Sequence, residues 1–350
     1  MKIRKFAVCL VLVGCFVGLC FGGEYFPDIA GYKTLVCDFH MHTVFSDGQV
    51  WPSVRVTEAK RESIDVIAIT DHIEYLPHKK DLPKNLNRSY EIAKAAVRKS
   101  NVLVIKGAEI TRGTPPGHYN ALFLNDVNPL DNKDFLTQIK NANLQKAFVF
   151  WNHHTWQGKE KGMWEAVQTT MYENGWLHGM EVANGGTYYP MAHKWCLEKN
   201  LTMLGNSDIH APSIEHKYSP DKHRSLTLVF AKERTKESIR EALDAGRTAV
   251  WYKNNLIGKE ELLSKLFKQI VKVSDFKFEN GKLTCTLSNS ALMDLNLERK
   301  GKYGPEKITI PARSSVDIEL SGATFKYSVE NFLVNPKESL LAEFGLKLEI

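Results

Sequence analysis

Six of the twelve histidines in this 350-residue sequence share a pattern. His40, His42, His72, His153, His154 and His210 each fall at the carboxyl end of an apolar run, and Glu109 closes another. Residues two apart on a strand share a face, so His40 and His42 can project into one space, as can Asp208 and His210. Imidazole and carboxylate donors without thiolate suit Zn, Mn or Fe. Any one strand-end histidine is more economically a hydrogen-bonded loop or core residue. Gathered at one mouth without a cation, however, they would leave polar atoms and charges unmet at a cost of several kcal/mol, so the set reads as metal-binding.

The elements that must hold these residues follow from the apolar pattern. LVCDFHMHT, VIAITDH, LVIKGAEI, AFVFWNHH, GMEVAN, TMLGNSD and LTLVF are strand candidates, and most gaps between them are of helix length. Such alternation predicts parallel βα units, whose strand carboxyl ends carry active sites. Thr235 caps a helix with Ile239, Ala242 and Leu243 on one face and Gly246 at its stop. Leu262, Leu263, Leu266, Phe267 and Ile270 form a second helical stripe. Beyond Val271 the period becomes two, with Leu283, Cys285 and Leu287, then Ile308, Ile310, Val316, Ile318 and Leu320. Asn280-Gly281 predicts a two-residue hairpin turn. Residues 271–350 thus read as a small all-β, sandwich-like domain following an α/β domain over 23–270.

Lys2, Arg4 and Lys5 precede an apolar run from Phe6 to Phe21 and then Gly22, the layout of a secretory signal over residues 1–22. An exported, periplasmic or cell-envelope protein is expected. Leu12-Val13-Gly14-Cys15 resembles a lipobox, making a lipoprotein the alternative, and no later run is long enough to span a bilayer. Of the formal net charge of +6, three positive charges belong to that signal, which leaves too little for a nucleic-acid partner. Hydrophobic content of 43% with 25% charged residues excludes a disordered or multi-span membrane chain. Outside the signal only Cys37, Cys196 and Cys285 remain, widely spaced, which argues against a disulfide scaffold or a thiolate metal site.

CDFHMHTVFSDG, AITDH, KGAEI, WNHH and GNSDIH, in that order over roughly residues 35–270, resemble the motifs of the PHP (polymerase and histidinol phosphatase) metallohydrolases. The resemblance implies a distorted (β/α)7 TIM-like barrel with two or three divalent ions at its strand carboxyl ends. It implies that His40, His42, Glu109 and Asp208 hold one ion, with Glu109 bridging to a second that His153 and His118 also bind. Asp47, His72 and His210 would hold a third. Glu109 and Asp208 would thus serve catalysis as well as ligation. Asn152-His153-His154 departs from the His-Pro of many relatives; alignment favours His153 as ligand, leaving His154 for support, leaving-group protonation or packing. Asp38 and Asp71 are expected to orient imidazoles.

The implied activity is that of an exported metal-dependent phosphoesterase, a phosphodiesterase before a monoesterase, acting on a small-molecule phosphoester. The alternatives are a C–N (amide-type) hydrolase using the same metals, or a noncatalytic PHP-like binding protein. Arg112 is a candidate phosphate clamp, against an ordinary surface role, while Trp156 and Tyr188 are candidates for stacking on the substrate's organic part. Glu181 and Asn184 end a strand at the same face and can touch substrate. His223 and Arg224 precede LTLVF, so a parallel strand there would put them at the opposite end.

Overall fold

The computed structural model describes residues 25–213, 222–320 and 324–345, so the segment expected to be an export signal, residues 1–22, lies outside the described residues. Strands and helices alternate first: β1 (Lys33–Asp38), α1 (Pro52–Arg61), β2 (Val66–Ile69), α2 (Arg88–Ala96), β3 (Leu103–Ile110), β4 (Tyr119–Leu122), α3 (Phe135–Leu144), β5 (Phe148–Trp151), α4 (Ala166–Glu173), β6 (Gly179–Asn184), β7 (Thr187–Tyr188), α5 (Pro190–Lys199), β8 (Thr202–Asn206), β9 (Leu226–Ala231), α6 (Lys236–Asp244), β10 (Thr248–Tyr252), β11 (Asn255–Gly258) and α7 (Glu260–Ile270). Strands follow: β12 (Val271–Glu279), β13 (Lys282–Asn289), β14 (Leu295–Arg299), β15 (Lys307–Ile310), β16 (Ser315–Leu320), β17 (Thr324–Asn335) and β18 (Glu338–Gly345).

β1, β2 and β3 pair in parallel, as do β5, β6 and β8. The expectation of parallel βα units fails at two places. β4 folds back antiparallel on β3 and pairs antiparallel with β5, while β9 runs antiparallel to β1 and β10. The expected barrel is not a closed hydrogen-bonded one either, because β8 lies against β9 and β10 without a backbone ladder. Hydroxyls join that seam instead. Thr227 Oγ1 accepts from Gly205 N (3.0 Å) and donates to Gly205 O (2.8 Å), and Thr248 Oγ1 donates to Met203 O (2.7 Å). The approach requires glycine at 205, where a Cβ would lie 2.5 Å from Val250 Cγ1.

One sheet face contributes Cys37, Ala68, Ile105, Phe150, Leu204 and Val229 to an interior cluster that Ile239, Ala242 and Leu243 of α6 close. The α6 cap is the expected one: Thr235 Oγ1 accepts from Ser238 N (3.2 Å), and Gly246 takes φ +63. The α7 stripe is buried throughout, each side chain contributing on the order of 1.5–3 kcal/mol.

The C-terminal strands are all-β but divide between two sheets. β12, β13 and β16 form one, with Asn280 (φ 53) and Gly281 (φ 78) making the anticipated turn; β14, β15, β17 and β18 join the large sheet through β17, which pairs in parallel with β11. Cys37, Cys196 and Cys285 are free and buried. Among the described residues, no helix is long and apolar enough to cross a membrane.

Candidate metal centre

β1 stops at Asp38, and the next residues are zipped to the segment after β8. Asp208 N donates to His40 O (2.9 Å) and His42 N to Ile209 O (3.1 Å), so both ligand pairs read from the sequence meet. His40 Nε2 and His42 Nε2 face each other at 3.1 Å, with Asp208 Oδ1 at 3.2 Å from the first and 3.0 Å from the second. Glu109, at the end of β3, reaches His40 (3.4 Å), His42 (3.5 Å), His72 (2.8 Å), His118 (3.1 Å) and His153 (3.4 Å). Asp47 lies 3.2 Å from His210 and 3.5 Å from His72. Its loop folds onto His42 because residue 48 is glycine; a Cβ there would sit 2.4 Å from the His42 carbonyl carbon.

The nine proposed ligands therefore gather in four overlapping donor groups: His42 with Asp47, His72 and His210; His40 with His153 and Asp208; His40 with His42 and Glu109; and Glu109 with His118 and His153. Glu109 Oε2 and Asp47 Oδ1 are buried and face imidazole nitrogens (His72 Nδ1 at 2.8 Å, His210 Nε2 at 3.2 Å) without a well-aligned hydrogen bond, the environment of metal-ligating oxygens rather than of ordinary buried carboxylates. His40 Nδ1 is engaged by Glu181 at 2.9 Å, which fixes the ring with Nε2 toward His42 Nε2. Cations between these donors would satisfy those atoms, so the residues fit a divalent cluster. Asp208 holds its place at φ +53, a left-handed conformation uncommon for a non-glycine residue.

Asp38 and Asp71 do not orient imidazoles directly. Asp71 accepts from Thr43 N, Thr43 Oγ1 and Ser46 Oγ (2.8 Å), and it is Ser46 Oγ that lies 3.3 Å from His42 Nδ1. Asp38 accepts from Ser207 Oγ (2.6 Å) and Arg224 Nη1 (3.1 Å). Arg224 reaches it because antiparallel β9 begins at the rim where β1 ends, which corrects the expectation of the opposite end. The carboxylate that orients an imidazole is Glu181: besides His40 it accepts from His153 N, Asn184 Nδ2 and Asn206 Nδ2. Arg55, unsuspected from the sequence, is buried with all five N–H groups used, on the carbonyls of His42, Ile209, His210 and Ala211 and on Glu58. Its signal was position: it shares a helical face with Pro52, Val56 and Ala59, which are also buried.

His154 stands apart from the donor groups. Its Nδ1 lies 2.6 Å from Gly162 O and its ring packs among Trp151, Tyr189 and Trp195. Arg112 is committed to Glu74 (2.5 Å), Gln138 Oε1 and the carbonyls of Thr111, Asn132 and Lys133. Tyr188 turns its hydroxyl to His193 Nδ1 (2.9 Å), whereas the Trp156 ring lies 5.0 Å from that of His118.

Burial pushes His72 down, but Glu109 and Asp47 outweigh it and hold the imidazole at about 10. His40, His153 and His210 are likewise raised by adjacent carboxylates against burial. Asp208 lies below the usual carboxylate range: burial raises it, and the fields of His40, His42 and His153 reverse that. His72, held at about 10, is protonated at pH 7, and ligation must displace that proton. Adding Zn²⁺ or Mn²⁺ in dilute buffer at pH 7 is expected to release about one or more protons per chain, with affinity rising with pH and falling as acid refills the imidazoles. Loading without proton release, followed with a pH indicator, would contradict this.

The PHP domain model matches residues 38–288. A crystal structure of a two-domain protein from Bacteroides vulgatus, described as containing a predicted PHP-like metal-dependent phosphoesterase, is 42% identical, superimposes with a TM-score of 0.87, and aligns over 94% of this chain and 100% of its own. An uncharacterised protein of Methanocaldococcus jannaschii is 39% identical over 80 residues, 22% of this chain and 34% of that relative, so the match spans about a third of its length. With the donor groups assembled as above, the chain belongs to the PHP domain family.

Proposed function

We propose that the chain is an exported metal-dependent phosphodiesterase acting on a small-molecule phosphoester at two or three divalent ions, Zn, Mn or Fe. The observation that carries this reading is the convergence of nine donors on a rim where buried Glu109 and Asp47 oxygens face imidazole nitrogens without a well-aligned hydrogen bond. Support for a phosphoester comes from the Bacteroides vulgatus relative. Support for export comes from the basic start and apolar run of the first 22 residues.

When bound, divalent ions acidify water into a nucleophile near neutral pH and offset charge gained on the phosphoryl oxygens. The chain's part is to place the donors. Glu109 spans the groups that would hold adjacent ions, and Asn152 Nδ2 holds its Oε1 at 2.8 Å. Glu181 keeps His40 and the His153 backbone in register, and Asp208 stands against Nε2 of both His40 and His42. Because Arg112 spends its guanidinium on Glu74, Gln138 and three carbonyls, a dianionic monoester gains little from it. That favours the singly charged diester.

Elemental analysis of purified protein, with bis(4-nitrophenyl) phosphate, 4-nitrophenyl phosphate and 4-nitroacetanilide as substrates, tests the proposal. The expected result is about two or three ions per chain, diester hydrolysis exceeding monoester hydrolysis, and loss of both on chelation. Amide cleavage alone, or no turnover of any substrate with the ions bound, would overturn it.

A further inference from the structure

Tyr75 and Trp156 are 54% and 52% exposed, an unusual state for large rings next to a buried polar cluster. The Tyr75 ring lies 6.2 Å from that of His72, the His72 ring 5.9 Å from that of His118, and the His118 ring 5.0 Å from that of Trp156. The two exposed rings therefore stand at either end of the His72–His118 pair.

Both are carried on anchored backbone. Ile73 N donates to Glu109 O (3.0 Å), and the Glu74 carboxylate is held by Thr111 N (2.8 Å) and Gln138 Nε2 (2.6 Å), which fixes the chain on the near side of Tyr75. Trp156 N donates to His153 O (3.0 Å), and Gln157 Oε1 accepts from Thr114 N (3.1 Å). Rings pinned to the ligand-bearing segments and left open to solvent are pre-organised to bury a planar partner. Stacking needs no directional polar group on that partner, consistent with Arg112 being occupied elsewhere.

Resting on the phosphodiesterase reading, we infer that Tyr75 and Trp156 are stacking seats for the organic arms of the substrate, so the natural substrate is a phosphodiester bearing an aromatic or heteroaromatic ring. Two diesters with one leaving group and different retained arms, methyl 4-nitrophenyl phosphate and phenyl 4-nitrophenyl phosphate, separate ring recognition from leaving-group chemistry. The expected result is a kcat/KM preference of roughly tenfold or more for the phenyl diester, expressed mainly in KM. In Tyr75→Leu and Trp156→Leu the preference should shrink toward unity, and in Tyr75→Phe and Trp156→Phe it should be retained, with metal content checked in each. Equal kcat/KM for the two diesters in the unaltered protein would overturn the inference while leaving the phosphodiesterase reading standing. If neither diester turns over, that reading fails, and the inference is then decided by calorimetric titration of the metal-loaded protein with phenylphosphonate and methylphosphonate. Tighter binding of the phenyl compound, lost in the leucine variants, supports it; equal affinities overturn it.

Discussion

Replacing Glu109 by glutamine is expected to lower turnover by at least about 10²- to 10³-fold and to strip cations from the protein while leaving it folded. The carboxylate lies within 3.5 Å of five imidazoles, so it is the charge on which adjacent donor groups depend. Glutamine has nearly the same volume, and its carbonyl oxygen can still accept from Asn152 Nδ2, so packing should survive. What disappears is the negative charge that two cations would share. Metal content and phosphodiester turnover measured on one preparation check this; a variant that keeps its full complement of ions and activity within about tenfold would show that Glu109 is peripheral.

Truncating Arg55 to alanine should cost about 3–5 kcal/mol of unfolding free energy and should also weaken the donor group of His42, Asp47, His72 and His210. The guanidinium holds four carbonyls, that of His42 and three along 209–211; Ile209 O keeps His42 N and His210 O keeps Gln49 N as donors, but its loss leaves the His42 and Ala211 carbonyls short of a partner beside a buried Glu58 carboxylate. Lysine offers one donor cluster in place of a planar fork, so Arg55→Lys should fall between. Denaturant unfolding and ion counts per chain are the measurements. Stability within 1 kcal/mol of the unaltered protein, with all ions retained, would contradict the assignment.

The difference between Glu109 and Arg55 marks how far the sequence could be read. Glu109 ends a strongly apolar strand, and strand ends with polar residues are visible in local pattern. So were the two-residue turn at Asn280-Gly281 and the cap at Thr235, because turn and cap chemistry act within a few residues. Strand direction is not local. Nothing in LTLVF states that β9 runs against β1, and that reversal brings Arg224 to Asp38. The seam at β8 was hidden for the same reason, since it rests on Thr227 and Thr248 meeting Gly205 and Met203 across the chain. Glu181 was recognised as sitting at the right rim, yet its bond to His40 spans 141 residues and no spacing rule reports it. Asp38 and Asp71, nearer in sequence to the imidazoles, drew the expectation that Glu181 and Ser46 fulfil.

The parallel pairing of β17 with β11 ties the strands that follow residue 270 to the sheet that bears the metal donors. Leu256, Leu266 and Phe267 share one apolar cluster with Val329 and Phe332, so no solvent layer separates the halves. A protein cut after residue 270 would bare both that cluster and the amide edge of β11, and an uncovered edge is a template for self-association. The donor-bearing segment is therefore poorly suited to excision or to transplantation as a stand-alone module, because its edge strand and apolar cluster depend on β17 for cover.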